Sequence, residues 1–539
     1  MAPAFAQLAS RRELALVSLL LLIAGAAIYG PHVVEGGFTI DDWGHAIGVQ
    51  HPRDGLLQDY WQVTPNRPLS VAYFPLTYLV MGPDPALHLA WSILLAVTMS
   101  VLLYALLRRL GFLKLHAGAI ALLVLLFPWS DSTRFWASAA HSSLAIALAL
   151  AGVLLALRGL DARAEGRIRA GGLLHVGAVT LYALSVLLYE TAGAALLLVG
   201  ALYLTRATWR AVRYRWLADI AVIAGCLAWN ARSAGRERGT LAEMLDQASA
   251  ISEGARTVVA YAAVPFGSVD REVVLVALAV VVAVAIVVRL VLPRTDNTRA
   301  VLTRWIVTTG AGIAIAVAAW ALFVPADPYY NPAAPGVGNR VNAMAGFGVV
   351  ITIYGSVVLA VTLLCRWFRH RRFAAAVLTG AIATSLAFGY ARKVHDDQQA
   401  WARAATAADG VLTAVRTAIP NPPEGSTVYT FGHPGSERAG VLIFSFSWDL
   451  AGGVRLTYDD PSLNAYPVLA DTRIVCEDER LGPMTTTGGS GWTPELHGAT
   501  YRTAYFVDVP SSTAQRIDSR KACMTAQSKF SPGPIVRVP

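Results

Sequence analysis

The chain has 539 residues, 55% hydrophobic and only 15% charged, and its mean hydropathy is +0.50. Soluble globular proteins carry about 25% charged residues, so this composition excludes that class and points to a polytopic membrane protein. The formal net charge of +9 does not indicate a nucleic-acid partner, because most basic residues fall in short loops between apolar runs, where they set membrane orientation.

Apolar runs of about 20 residues, the length that crosses a bilayer core, predict spanning helices near 14–34, 86–107, 114–130, 141–158, 172–188, 190–205, 217–231, 272–292, 302–324, 342–364 and 373–390. The first run follows Arg11 and Arg12, is long for a signal-peptide core and lacks a small-x-small cleavage site, so it is expected to stay as a helix. The expected fold is mainly α: a transmembrane bundle of about 11 spans over residues 1–391, then a small extracytoplasmic α+β domain over residues 392–539.

Directly after the first run comes "FTIDDWGHA", with Asp41, Asp42, Trp43 and His45, and the same loop continues through His51, Asp54, Asp59, Trp61, Asn66 and Arg67. A carboxylate costs about 3 kcal/mol at the bilayer centre, so an acidic pair beside a span is solvated, paired or functional. The next loop on that side, "PWSDSTRFWASAAH", holds Asp131, Arg134, Trp136 and His141, with Asp131 and Arg134 spaced for a local i,i+3 ion pair. Glu190, after Tyr189, interrupts an apolar run of some thirty residues, where a tight turn between helices is the plain alternative to a site. A fourth loop contains an amphipathic stretch suited to the membrane interface. The fifth, "VPADPYYNPAAPGVGNRVN", carries Asp327, Tyr330, Asn339 and Arg340. Trp61, Trp136 and Tyr330 also suit an ordinary interfacial aromatic belt.

The other set of loops is rich in arginine, from Arg11 and Arg12 to Arg371 and Arg372. The positive-inside rule therefore puts the N-terminus in the cytoplasm, and the acidic loops and residues beyond about 392 outside. The last stretch opens with a helix, "VHDDQQAWARAATAADGVLTAVRTA", and continues as short strands between Gly, Pro, Asn and Asp turns. Cys476 and Cys523 lie in this exported region, where an oxidising compartment permits a disulfide. Cys226 and Cys365 read as small buried hydrophobes, and no Cys/His spacing resembles a zinc site. Trp448, Tyr458 and Trp492 are expected in its core, with faces also suited to stacking on a sugar.

Carboxylates, arginine and aromatics gathered at one membrane face suit a lipid-phosphate substrate. A carboxylate can take the proton of an attacking hydroxyl, and an arginine can hold the phosphate of the leaving group.

Residues 66–110, "NRPLSVAYFPLTYLVMGPDPALHLAWSILLAVTMSVLLYALLRRL", resemble the "RPL … G … P … H … N … LLRRL" pattern of the GT-C glycosyltransferase superfamily. The likeness is to the membrane half of protein O-mannosyltransferases and bacterial polyprenyl-phosphate-sugar-dependent transferases. Arg67, Pro68, Leu69, Gly82, Pro85 and His88 match, while Trp91 stands where asparagine is common. "ASAAHSSLAIALALAGVLL" resembles the family's next loop-to-helix junction. "LSVLLYETAGAALLLVGALYL" is similar to its "LSKE(T)A" helix, with Tyr189 replacing the lysine and Glu190 retained. No tetratricopeptide array follows, so protein mannosylation is not implied.

The resemblance implies a GT-C fold, a first-loop acid (Asp41 or Asp42) as general base, a polyprenyl-phosphate sugar donor, and inversion at the anomeric carbon. Some members hold a divalent cation, Mg or Mn, near such acids, which would make Asp41 or Asp42 a metal ligand. Others hold none. Trp43, His45, Arg67, His88, Asp131, Arg134, His141, Glu190, Tyr330, Asn339 and Arg340 are the expected substrate-binding residues, with Arg340 assigned to the donor phosphate on chemistry rather than on a matched motif. The expected setting is a bacterial plasma membrane, and the acceptor an envelope glycan, lipid or protein of cell-wall biogenesis. The Ala-, Arg- and Val-rich composition fits an actinobacterial source and a decaprenyl-type donor. A flippase would need charges near the bilayer midplane and repeated halves, a diphosphate-dependent ligase more basic groups, and an assembly protein no reactive acid.

Overall fold

The computed structural model describes residues 10–233, 240–267, 270–325, 330–368, 370–487, 491–494 and 499–535. Asp327 lies outside them, as does the side chain of Trp492. Eight helices among the described residues are long and apolar enough to cross a membrane.

The chain enters through α1 (Arg11–Glu35), whose first turn is capped by the Ser10 hydroxyl accepting from Glu13 N. Three short helices then fill the first loop: α2 (Asp41–Gln50), α3 (Leu56–Val63) and α4 (Ser70–Met81). Next come α5 (Pro85–Arg109), α6 (Lys114–Leu125), α7 (Ser132–Phe135), α8 (His141–Ala164) and α9 (Ile168–Leu188). The fragments α10 (Gly193–Leu196) and α11 (Val199–Tyr203) precede α12 (Trp209–Ser233) and α13 (Leu241–Ala263). The bundle closes with α14 (Arg271–Val291), α15 (Asn297–Ala321), α16 (Asn342–Cys365) and α17 (Arg371–Ala418). At its arginine-rich end, Glu13 ties α1 to α5 through Arg108 at 2.6 Å and Tyr104 at 2.7 Å.

Three of the eleven expected spans differ. The run near 114–130 yields only twelve residues of helix in α6, about 18 Å at 1.5 Å per residue, too short for a bilayer core of about 30 Å. Pro128 holds the preceding Phe127 in extended backbone (ψ 110°) and keeps helix from continuing. The run near 190–205 is broken into α10, α11 and a 3₁₀ turn at Glu190–Ala192; the Trp216 indole donates to Leu197 O at 2.9 Å, taking a carbonyl between the fragments. The run near 217–231 lies inside α12, long enough to cross but carrying Arg210, Arg213, Arg215, Asp219 and Arg232.

The helix expected to open the C-terminal region is the continuation of the last span. Together they form α17, 48 residues without a break and about 72 Å long. Beyond it stand β1 (Thr427–Phe431), the hairpin β2 (Ser436–Arg438) and β3 (Val441–Leu442), then α18 (Ser447–Tyr458) and β4 (Asn464–Pro467). Five-residue β5 (Thr472–Cys476) is followed by β6 (Arg480–Thr487), β7 (Gly491–Pro494), β8 (Ala499–Thr500), β9 (Ala504–Asp508), β10 (Thr513–Ile517) and α19 (Arg520–Gln527). One sheet runs β10-β9-β1-β4, with β1 parallel to both neighbours, and α18 supplies the crossover that parallel β1 and β4 require. The other is antiparallel, β5-β6-β7 with β8 on β6. One apolar core runs unbroken from Leu125 and Phe127 in the bundle to Ile443, Phe444 and Leu450 beside α18.

Cys476 and Cys523 form a disulfide from β5 to α19 across 47 residues of sequence. A loop of that length corresponds to about 4 kcal/mol of chain entropy removed from the unfolded state. Cys523→Ser is therefore expected to expose the strands beyond β4 to limited proteolysis while leaving the bundle resistant, and reduction of the wild-type protein should reproduce the pattern.

Candidate active site

The backbone before α2 is strained in order to turn Asp42 inward. Ile40 sits at φ +47°, ψ −109°, a left-handed setting that costs a β-branched residue about 1–3 kcal/mol. The turn lets Thr39 N donate to Asp42 Oδ2 at 3.0 Å. Asp42 Oδ1 accepts from Ser138 N at 2.8 Å, from the Ser138 hydroxyl, and from Tyr78 OH at 3.3 Å. The side chain is fully buried, and burial pushes its carboxyl up to about 7 against the Ser138 and Thr39 hydrogen bonds. Both oxygens are engaged, so Asp42 anchors α2 to the loop before α8.

Its neighbour has the opposite character. Asp41 is solvent-exposed at the first turn of α2, yet its surroundings are crowded enough that desolvation raises its pKa; the charges of Arg340 and Arg67 and the neighbouring Trp448 work against that rise. Arg340 is delivered by the 3₁₀ turn Gly336–Val341 before α16. Its guanidinium stands 5.2 Å from the Trp136 ring centroid and 5.6 Å from that of Tyr330, and it donates to Val337 O at 2.8 Å. Among the described residues no carboxylate lies within ion-pair distance of it. Arg67 differs: it grips Glu190 with two hydrogen bonds, at 2.9 and 2.6 Å, and stacks on Tyr189 at 4.4 Å.

The three histidines serve as packing. His45 is stacked on Phe74 at 4.1 Å and Tyr60 at 5.4 Å, and burial lowers its pKa to about 3, leaving it neutral. His88 donates to Gly82 O at 2.9 Å and lies 4.0 Å from Tyr78, behind the hydroxyl that binds Asp42. His141 donates to Ser138 O and meets Tyr189 edge-on at 4.4 Å.

The C-terminal region closes the other side. Trp43 packs between Phe38 and Phe444, at 5.5 and 5.8 Å, and α18 lies alongside α2 so closely that a Cβ on Gly452 would come 2.8 Å from the Trp43 carbonyl carbon. The two helices run parallel, since Trp448 meets Asp41 at one end and His51 bonds Asp459 at 2.8 Å at the other. The turn bearing Arg340 is clipped to the β2–β3 hairpin: Val337 N donates to Gly440 O at 2.8 Å, and Gly336 and Gly440, both at positive φ, leave no room for a Cβ.

Asp131 and Asn339 stand behind this cleft. Asn339 donates to Asp131 at 2.6 Å and accepts from Ser132 N at 3.2 Å, joining two loops. Burial first, then the nearby charge of Asp397, hold the Asp131 carboxyl well above its ordinary pKa. Asp397 in turn binds Lys393 at 2.6 Å and Arg438 of β2. Arg134 does not reach the cleft and does not pair with Asp131. It is buried and donates to the carbonyls of Val124, Leu125 and Ser130, capping a short helix whose last carbonyls have no water.

Asp41, Asp42, Trp43, His45, Arg67, His88, His141, Glu190, Tyr330 and Arg340 thus share one neighbourhood, with Asp131 and Asn339 in support. Sequence reasoning missed Tyr78, Ser138, Gly452 and Asp397, ordinary residue types with no local signal. Asp42 does not suit a divalent cation, because both its oxygens are occupied by N–H and O–H donors, and no cluster of three His, Cys, Asp or Glu occurs among the described residues.

No protein-family model matches the chain, and no curated protein matches it. Among solved structures it is similar to ArnT from Cupriavidus metallidurans, crystallised bound to undecaprenyl phosphate. That likeness has 12% identity over 81% of this chain and 84% of the other, with a TM-score of 0.40. At that distance it decides nothing about chemistry.

Two stability outcomes follow from the geometry. Asp42→Asn should lower stability by about 1–3 kcal/mol, because it sets an amide against donors that need an acceptor; thermal unfolding of the purified protein measures it. Arg67→Met and Glu190→Gln together should cost less than the sum of the single changes, with a coupling of about 1–3 kcal/mol in a double-mutant cycle.

Proposed function

We propose that the protein is an integral-membrane glycosyltransferase that moves a sugar from a polyprenyl-phosphate donor to an envelope acceptor on the outer face of the membrane. The observation that carries this reading is the pairing of a solvent-accessible carboxylate, Asp41, with a neighbouring cation, Arg340, that has no carboxylate within ion-pair distance among the described residues, at the end of a membrane bundle. The acceptor hydroxyl attacks the anomeric carbon while Asp41 takes its proton. The bond from that carbon to the phosphate oxygen breaks, and the electron pair leaves with the lipid phosphate, which Arg340 holds. Asp42 is committed to its donors and cannot act as a second, nucleophilic carboxylate, so a single displacement with inversion is the consistent course. Of the two arginines beside Asp41, Arg67 is paired with Glu190 and only Arg340 is free of a carboxylate among the described residues, which suits a monophosphate better than the diphosphate of a ligase.

An apolar cavity of about 730 Å³ lined by α13, α14, α15 and α16, including Ile251, Val259, Ile313 and Trp320, supports a place for the prenyl chain. It lies beside the loop of Arg340, because Gln247 of α13 donates to Tyr330 O at 3.0 Å. The outward orientation is supported by the loop arginines and by the disulfide, which suits an oxidising compartment.

Purified protein in nanodiscs, given a panel of polyprenyl-phosphate sugars, should release lipid phosphate, and EDTA should leave the rate unchanged. Asp41→Asn is expected to lower kcat by at least 100-fold, within the range for loss of a general base, with its unfolding temperature unchanged. The reading falls if no donor is turned over while the same protein moves a lipid-linked sugar across liposomes. The base works unprotonated and its pKa is raised, so the acid limb of kcat/KM should lie above pH 3.8. Arg340→Gln removes a charge that lowers that pKa, so the limb should move to higher pH as the donor KM rises.

A further inference from the structure

Beside Asp41 stands an aromatic pair that the transfer chemistry alone does not use. Phe446 and Trp448 stack with centroids 4.3 Å apart and planes 7° apart. Trp448 nevertheless leaves 53% of its surface exposed, and it stands near enough to Asp41 to lower the pKa of that carboxyl. Phe446 covers one face of the indole, and the other is open beside the proposed base.

The pair is built to hold still. Asp449, fully buried, accepts from Ser445 N at 3.0 Å and Phe446 N at 3.2 Å, which fixes the turn into α18. Gly452 then lets α18 lie directly against α2. Trp448 is therefore held relative to Asp41 by two packed helices.

We propose that the open face of Trp448, backed by Phe446, is the acceptor subsite, and that the acceptor is the ring of a saccharide. This rests on the glycosyltransferase reading and names the acceptor class that reading leaves open. A sugar ring presents a face of C–H groups that packs on an electron-rich indole, and a two-torsion aromatic supplies that area at low entropic cost. Asp41 is exposed and, among the described residues, accepts no hydrogen bond that would keep it from the acceptor O–H. Arg340 and Trp448 both lie near Asp41, so the donor phosphate and the acceptor ring can be held at the same carboxylate.

Saturation-transfer NMR on the full chain in nanodiscs tests this without the donor. The probes are methyl α-mannopyranoside, methyl α-glucopyranoside, methyl β-galactopyranoside and methyl α-arabinofuranoside. At least one should show ring C–H enhancement with the wild-type protein and with Trp448→Phe, falling at least fivefold with Trp448→Ala at an unchanged unfolding temperature. Absence of enhancement from every probe with the wild-type protein, or undiminished enhancement with Trp448→Ala, overturns the proposal. Failure of the donor panel overturns the glycosyltransferase reading instead. Where both hold, Trp448→Ala should raise the acceptor KM at least tenfold and leave the donor KM alone, whereas Asp41→Asn lowers kcat.

Discussion

A carboxylate with no access to water must be given donors, and the strand-bearing end of this molecule is organised around doing so for Asp42. Thr39, Ser138 and Tyr78 come from three separate segments and meet on its two oxygens. Behind them, His88 steadies Tyr78 and His141 steadies Ser138. The strain at Ile40 is tolerated because so many contacts determine the turn. The consequence is positional: once Asp42 is fixed, Asp41 is the next residue on a helix that cannot rotate, and it is left facing the cleft.

The C-terminal region completes the site rather than decorating it. Its helix α18 flanks the carboxylate and its hairpin holds the turn of the free arginine, both through glycines at which any side chain would push the elements apart. Asp397, sitting between Lys393, Arg438 and Asp131, links the same hairpin to the loops of the bundle. Cation and carboxylate are thus set by one continuous packed body, the arrangement that preorganised catalysis requires.

Much of this was legible in the sequence. Hydropathy located eight spans, because crossing a bilayer leaves a long and simple signal. It failed at α6, half of which is buried against protein, and at α10 and α11; in both places the backbone can break because Arg134 and Trp216 satisfy the freed carbonyls. The acidic pair was visible as an oddity, but dividing its roles needed Ser138 and Tyr78, which lie 96 and 36 residues away in the chain. Arg134 was misread because an arginine near a membrane edge carries the same signal whether it faces a ligand or caps a helix. Trp448 was expected in the core, and only the placement of α18 reveals its open face.

The unbroken α17 imposes a phase relation. Each residue of an α-helix advances the chain by 100°, so adding or deleting one residue near Arg392 would swing the attached strands around the axis by more than a quarter turn. The apolar stripe within the bilayer and the Asp397 stripe above it are therefore geared together, and length changes in this helix can be accommodated only near whole turns.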